Sequence, residues 1–308
     1  YQNDHEDANG QFEMNWDYAD CLATADRHVF FKFMVKTLAE KRGMRATFMP
    51  KPFSNKTGNG CHAHISLWDN KDKNIFLDKK DKLGISKTGY NFIGGIINSA
   101  EALTAWFNPT INSYKRINAP VTDSGATWSP NTITYSGNNR SHMIRIPDSG
   151  RFELRLMDGA VNPYLLQAGI IAAGIDGVMN KIDPGKRLDI DMYKEGHKVE
   201  NATQLPLNLL DALRVFDSNT ILKESLGNDF SKAYISLSTP PTWTHYCYLF
   251  TIVARSVSIS AMRRLHDTNL TTRRGRKNIV VRSIFLSLPL SLSLSLSLPL
   301  SLSMTVMM

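Results

Sequence analysis

The sequence predicts a domain of mixed α and β structure in which strands, not helices, carry the chemistry. Three observations lead there. Residues 61–67 alternate, with His62, His64 and Ser66 on one side and Cys61, Ala63, Ile65 and Leu67 on the other. Residues 151–156 repeat the device, with Arg151, Glu153 and Arg155 against Phe152, Leu154 and Leu156. Around these runs lie segments of helical period, two of them with recognisable ends.

The first helix is expected over residues 20–43. Thr24 is placed as its cap and Asp26 in its first turn, with Lys41 and Arg42 in the last turn before Gly43. Val29, Phe30, Phe33, Met34, Thr37 and Leu38 recur at helical spacing and predict its apolar face. A short strand over 45–49 stops at Pro50. The Asp-, Lys- and Asn-rich stretch 69–83 reads as a solvated loop, and 89–107 as a second helix. Residues 118–142 form a long loop of the kind that is often functional. Asn162 as cap and Pro163 at the first helical position open a third helix that runs to about Lys181.

Composition bounds the rest. The 308 residues carry a net charge of +8, 42% hydrophobic and 21% charged residues, values normal for a globular protein. From Ser236 onward eight Lys/Arg face one acid, Asp267, so +7 of the +8 sits there and +1 remains for residues 1–235. The basic balance therefore says nothing about the main domain, and the Arg-rich stretch 273–277 has no fold or aromatic support for binding nucleic acid. Cys21, Cys61 and Cys247 are scattered, with no disulfide framework, which fits a reducing, cytoplasmic setting. No signal or transit pattern is visible.

Residues 286–303 read LSLPLSLSLSLSLPLSLS. The alternation has a strand's period, and it is also what a (CT)n dinucleotide repeat yields on translation. A serine at every second position and two prolines exclude a membrane span. The chain is therefore divided into a coherent domain over 1–235 and an aberrant low-complexity tail over 236–308, expected to be disordered or a translation of non-coding or frame-shifted DNA.

Several residue sets bear on chemistry. Glu6 and Glu13 bracket a glycine-containing turn and read either as solvated acids or as ligands of a hard divalent cation. His62 and His64 on one strand face suit a metal or an anionic substrate, or else a hydrogen-bonded pair. Glu153 between two arginines reads as an ion-pair ladder or as a metal ligand flanked by phosphate-binding groups. Arg140 and Arg145 just upstream bring four arginines around one carboxylate, more than a structural pair needs, and point to a polyanionic substrate. There is no Walker A motif, dinucleotide fingerprint or nucleophile elbow. What remains is equipment for phosphoryl transfer.

Six runs, in order, resemble the catalytic domain of glutamine synthetases. They are NDHEDANGQFE (3–13), TFMPKP (47–52), GCHAH (60–64), Asn139-Arg140-Ser141 with Arg145-Ile146-Pro147, RFELR (151–155), and Asn162-Pro163-Tyr164-Leu165. The version here looks more like the bacterial-type branch, which also contains γ-glutamyl-amine ligases. The resemblance implies an α+β fold, a curved and mainly antiparallel sheet forming a partial barrel with outer helices. It implies ligation of ammonia to the γ-carboxyl of glutamate through an acyl phosphate, using ATP with Mg²⁺ or Mn²⁺. The alternative it carries is a ligase for a small amine such as methylamine, ethanolamine or a polyamine.

Roles follow residue by residue. The resemblance assigns Glu6 and Glu13 to the metal on the glutamate side, and His62 and Glu153 to the metal on the ATP phosphates. It places His64 and Gly58 at the glutamate, and Arg116 and Arg155 on the glutamate carboxylate and the transferred phosphate. Arg140 stabilises the phosphoryl group in transfer, and Ser66, Arg145 and Arg151 lie at the nucleotide. Family members form ring-shaped homo-oligomers. The resemblance further implies an upstream domain and a strand with two more metal-binding glutamates, so residues 1–308 are expected to act as a fragment and show no ligase turnover by themselves. The family's flap glutamate is absent after Arg116, where Asp123 is the nearest acid, and the carboxy-terminal helix gives way to the tail after about Tyr234.

Overall fold

The computed structural model describes residues 2–120, 122–200, 202–238, 279–280, 284–294 and 304–307. Its strands are β1 (Gln2–His5), β2 (Gln11–Asn15), β3 (Met44–Thr47), β4 (His62–Ile65), β5 (Trp68–Asp69), β6 (Tyr135–Ser136), β7 (Ile144–Asp148), β8 (Arg151–Leu154), β9 (Ile279–Val280), β10 (Ile284–Leu294) and β11 (Met304–Met307). Its helices are α1 (Cys21–Glu40), α2 (Lys87–Phe107), α3 (Ile111–Ile117), α4 (Pro163–Met179), α5 (Met192–Glu195), α6 (Leu209–Ser218), α7 (Thr220–Leu226) and α8 (Asn228–Ser238). Among the described residues no helix is long and apolar enough to cross a membrane.

Eight strands form one sheet in the order β1-β2-β11-β10-β4-β8-β7-β6. The pairings are antiparallel except β6 with β7 and the single contact of β11 with β2. Alternation decides the two faces. Ala63, Ile65, Phe152, Leu154 and Ile144 are fully buried on one side. There Phe76, Phe92 and Phe152 form a triangle with ring centroids 5.2–6.0 Å apart, joining the sheet to α2. Burying each such ring contributes about 1.5–3 kcal/mol. The opposite face of β2, β4, β7 and β8 carries the ionisable residues.

The helical layer rests on a crossing of α2 and α4 at backbone contact. A methyl group at Gly95 would sit 2.0 Å from the Ala173 carbonyl oxygen and 2.7 Å from the Gly177 backbone, so only hydrogen fits there. Both helices are capped by side chains: Ser86 accepts from the Gly89 amide, and Asn162 accepts from the Tyr164 and Leu165 amides. Asn162 and Pro163 thus occupy the expected cap and first position.

Two expectations are corrected. Asp20, not Thr24, caps α1, accepting from the Ala23 amide at 2.9 Å. The buried stripe of α1 is Cys21, Thr24, Ala25, His28, Phe31, Val35 and Ala39, while Phe30 and Phe33 are each 62% exposed. The smaller set lets the helix approach β3 and α4 closely, and tertiary fit outweighs bulk. Residues 284–294, within the stretch set apart in the sequence as a low-complexity tail, form β10, antiparallel to both β2 and β4, with Ser287 in register with Asn15 and His62. Its backbone N–H and C=O groups point alternately to the two edges, so one strand serves both neighbours. Apart from the end of α8, β9 and β11, the rest of the tail lies outside the described residues.

Candidate active site

The site face is assembled by register. His64 pairs with Glu153 across β4 and β8, and Glu153 pairs with Arg145 across β8 and β7, so the three form one transverse row. The β1–β2 hairpin, with Asp4 opposite Glu13, closes one end. Together these elements border a cleft of about 730 Å³. Its lining includes Glu6, Glu13, Gly58, His62, His64 and Glu153, together with Arg140, Arg145 and Arg155. Residues 6 to 155 of the chain, on five separate segments, are therefore brought to one space. Three of the expected residues lie outside this lining. Ser66 accepts from the Trp68 indole at 2.9 Å. Arg151 pairs with Asp148 and donates to His64 Nδ1 at 2.9 Å. Arg116 is buried behind the wall, donating to the backbone carbonyls of Leu156 and Arg155 at 3.2 and 3.4 Å.

Charge is sorted along the cleft. At the basic end Arg155 donates to Glu153 Oε1 at 2.7 Å and Arg145 to Oε2 at 2.9 Å. Burial by itself would raise the Glu153 carboxyl, but the charges of Arg155 and Arg145 outweigh it and hold Glu153 well below the carboxylate range. Arg140 is exposed at the cleft with no ion pair among the described residues. At the acidic end burial, followed by the hydrogen bond and charge of Glu13, pushes Glu6 up to about 8. Glu6 thus keeps its proton near neutral pH, and a hard cation at this end would displace it.

The histidines are neutral. Burial, then Arg155, lowers His62 well below its usual range, and burial pulls His64 down to about 4. His62 Nδ1 lies 3.3 Å from Glu153 Oε1, and its Nε2 is buried with no hydrogen-bond partner among the described residues. Arg155 Nη1 lies 3.3 Å from the same Nδ1 and can only donate, so Nδ1 accepts and the neutral ring carries its proton on Nε2, which a cation binding there would displace. Gly60 allows it: a Cβ there would stand 2.8 Å from His62 Nε2 and 2.9 Å from Arg116 Nη2. The donors fit divalent cations as two pairs, Glu6 with Glu13 and His62 with Glu153. Among the described residues no group of three His, Cys, Asp or Glu is placed to hold a metal.

Neither described cysteine competes as a nucleophile. Burial pushes the Cys61 thiol up to about 12 and Cys21 up to about 11. Cys247 lies outside the described residues. Asp123, the nearest acid in the long loop, points away from the cleft. It pairs with Lys56 at 2.7 Å and accepts from Asn55 at 3.2 Å, in a side recess of about 70 Å³.

Sequence reasoning missed several residues. Asp4, Asp7 and Trp128 line the cleft. Asp7 accepts from Ser124 at 2.6 Å and also from Thr57, tying the long loop to the acidic hairpin. Tyr18 and Trp68 face each other with planes 14° apart and ring centroids 6.5 Å apart, beside Ser66. Acidic runs and lone aromatics have many uses, so only the fold singles these out.

Comparison with known proteins agrees with the geometry. Residues 2–247 match the family described as glutamine synthetase, catalytic domain. The chain is 64% identical over 252 residues to a glutamine synthetase of Rhizobium meliloti (strain 1021), covering 82% of this chain and 58% of that protein. It is 46% identical over 232 residues to a glutamate–methylamine ligase of Methyloversatilis universalis, covering 74% of this chain and 52% of that protein. A solved structure described as a GmaS/ADP complex superposes with a TM-score of 0.74 at 63% identity, covering 80% of this chain and 56% of that one. The chain thus spans little more than half the length of these relatives.

Proposed function

Since the chain belongs to the glutamine synthetase catalytic-domain family, we propose that its cleft serves ATP-dependent ligation of ammonia or a small amine to the γ-carboxyl of glutamate. The observation that carries the reading is the convergence of nine expected residues on one cleft, with acids at one end and guanidinium groups at the other.

The chemistry follows from charge. A γ-carboxylate oxygen of glutamate attacks the γ-phosphorus of ATP, the bond to ADP breaks, and an acyl phosphate forms. Arg140, Arg145 and Arg155 neutralise the phosphoryl oxygens without any proton being moved. His64, accepting at Nδ1 from Arg151, keeps its proton at Nε2 and offers it to a substrate carboxylate. The amine then attacks the acyl carbon, loses a proton and expels phosphate. Divalent cations, held by Glu6 with Glu13 and by His62 with Glu153, would supply further charge neutralisation. Arg116 props the Gly58–Gly60 turn from behind, where a Cβ at Gly58 would touch its side chain at 3.0 Å. A homo-oligomer in the cytoplasm belongs to the same reading.

The test is binding on the purified 308-residue chain. ADP with Mn²⁺, measured by calorimetry, is expected to bind, and Glu153→Gln and Glu6→Gln are each expected to weaken it at least tenfold. No ADP binding by a natively folded chain in saturating Mn²⁺ overturns the proposal.

A further inference from the structure

Gln11 is an uncharged polar residue where the acidic hairpin meets the glycine turn opposite it. It lies on β2 two residues from Glu13, so strand geometry holds the pair about 7 Å apart along one face. It borders the cleft, yet it is only 1% exposed. Three hydrogen bonds take up its carboxamide. Oε1 accepts from the Ala8 amide at 3.1 Å, within the hairpin. Nε2 donates across to the Gly58 carbonyl at 3.2 Å and to Asn59 Oδ1 at 3.1 Å. Burial makes each bond costly to lose, because water cannot replace the missing partner.

The turn that Gln11 reaches is closed on its other side. Asn59 is fully buried, and it donates to the Met49 carbonyl through Nδ2 and to the Pro50 carbonyl through its amide, both at 2.8 Å. A Cβ at Gly58 would stand 2.5 Å from the Pro50 carbonyl oxygen, so the turn has no room to retreat. Gly58 and Gly60 both line the cleft. Their placement towards it is set by the hairpin, through Gln11 and through Asp7, which accepts from Thr57. None of the three bonds of Gln11 runs to the transverse row of His64, Glu153 and Arg145.

We infer that Gln11 is the positioning residue of the glutamate subsite, tying the Gly58–Gly60 turn to the hairpin that bears Glu6 and Glu13. The inference rests on the ligase reading above and adds to it a residue that acts through the turn. Glutamate reaching from this turn to the cations and guanidinium groups spans fixed points. A displacement of about 1 Å between such points costs on the order of a hundredfold. Gln11 sets the spacing with two donations from one rigid amide plane. Methionine at this position would fill a similar volume and make neither bond. Asparagine would keep the amide and stop about 1.5 Å short.

The test compares two ligands on the full 308-residue chain. L-Glutamate and ADP are titrated by calorimetry in saturating Mn²⁺ into wild type, Gln11→Met and Gln11→Asn, each checked for native fold by circular dichroism. Both variants are expected to bind L-glutamate at least about tenfold more weakly than wild type, and ADP within about twofold of it. A general loss of structure would weaken the two ligands alike. Unchanged glutamate affinity in either variant, or equal weakening of both ligands, overturns the inference. Should neither variant fold, hydrogen exchange of wild type decides. Added L-glutamate is expected to slow exchange in 6–11 and in 57–60 together, and protection of the turn without the hairpin overturns the inference. Wild type that binds ADP but not L-glutamate overturns this inference alone. Wild type that binds neither overturns the ligase reading together with it.

Discussion

Replacing Glu153 by alanine removes the hub of the basic end, and its cost can be worked from the surroundings. The Glu153 side chain is 3% exposed and that of Arg155 4%, so their ion pair at 2.7 Å is screened by almost no water. Arginine cannot discard its proton, so after the substitution Arg155 keeps a buried charge with no counter-ion. Arg145 is 15% exposed and can turn towards solvent, which puts most of the cost on Arg155. Breaking a buried pair on one side costs about 3–5 kcal/mol, a large share of a domain's total of roughly 5–15 kcal/mol. The cost belongs to the orphaned cation and not to a lost attraction, so a second substitution should relieve it. Glu153→Ala with Arg155→Met is expected to lie within about 1–2 kcal/mol of wild type. Urea denaturation of wild type, both single variants and the double variant at pH 7 gives the full cycle. Additive losses, or a Glu153→Ala loss under about 1 kcal/mol, would refute the reasoning.

Other consequences are open to measurement. Gly95→Ala drives a methyl into the Ala173 carbonyl, so despite alanine's better helix propensity it should destabilise by about 1–3 kcal/mol; an unchanged urea midpoint would contradict the backbone-contact crossing. Asn162→Ala removes the α4 cap and should cost about 1 kcal/mol by the same assay. His28 is fully buried, and burial, then Lys32, holds it well below its usual range. It stays neutral in the fold, whereas the unfolded chain gains a proton below about pH 6.5. The unfolded state then binds the extra proton, so stability falls as pH drops below that value, by up to about 1.4 kcal/mol per pH unit. His62 and His64, also depressed by burial, add to the same slope, so His28→Phe should reduce it between about pH 6.5 and 5 without abolishing it, and an identical slope in both proteins would exclude His28 as a source.

Much of the site was legible because strand alternation is a local rule. Once 61–67 and 151–156 are strands, His62 with His64 and Glu153 with Arg155 must share faces, and the structure places all four at one cleft. The third helix was legible for the same reason, since Asn162 and Pro163 act within one turn. What depends on distant partners was not legible. The buried face of α1 is chosen by β3 and α4, against the bulk of Phe30 and Phe33. Arg116 lies behind the wall because the Gly58–Gly60 turn closes over it. The pairing of Tyr18 with Trp68, fifty residues apart, and the aim of Trp128 depend on tertiary contacts that no local pattern encodes.

The transverse row of His64, Glu153 and Arg145 ties the chemistry to spacing as much as to residue identity. Side chains alternate every residue along a strand, so losing one residue from the turn at Ser149–Gly150 would offset β7 from β8 by one step. Arg145 would then trade places with a neighbouring isoleucine, leaving a greasy side chain at the carboxylate and a guanidinium wedged against the helices. The ladder already takes up one odd step between Arg145 and Asp148, so a change of length in that hairpin should be tolerated only where this irregularity absorbs it, a constraint that no substitution scan would reveal.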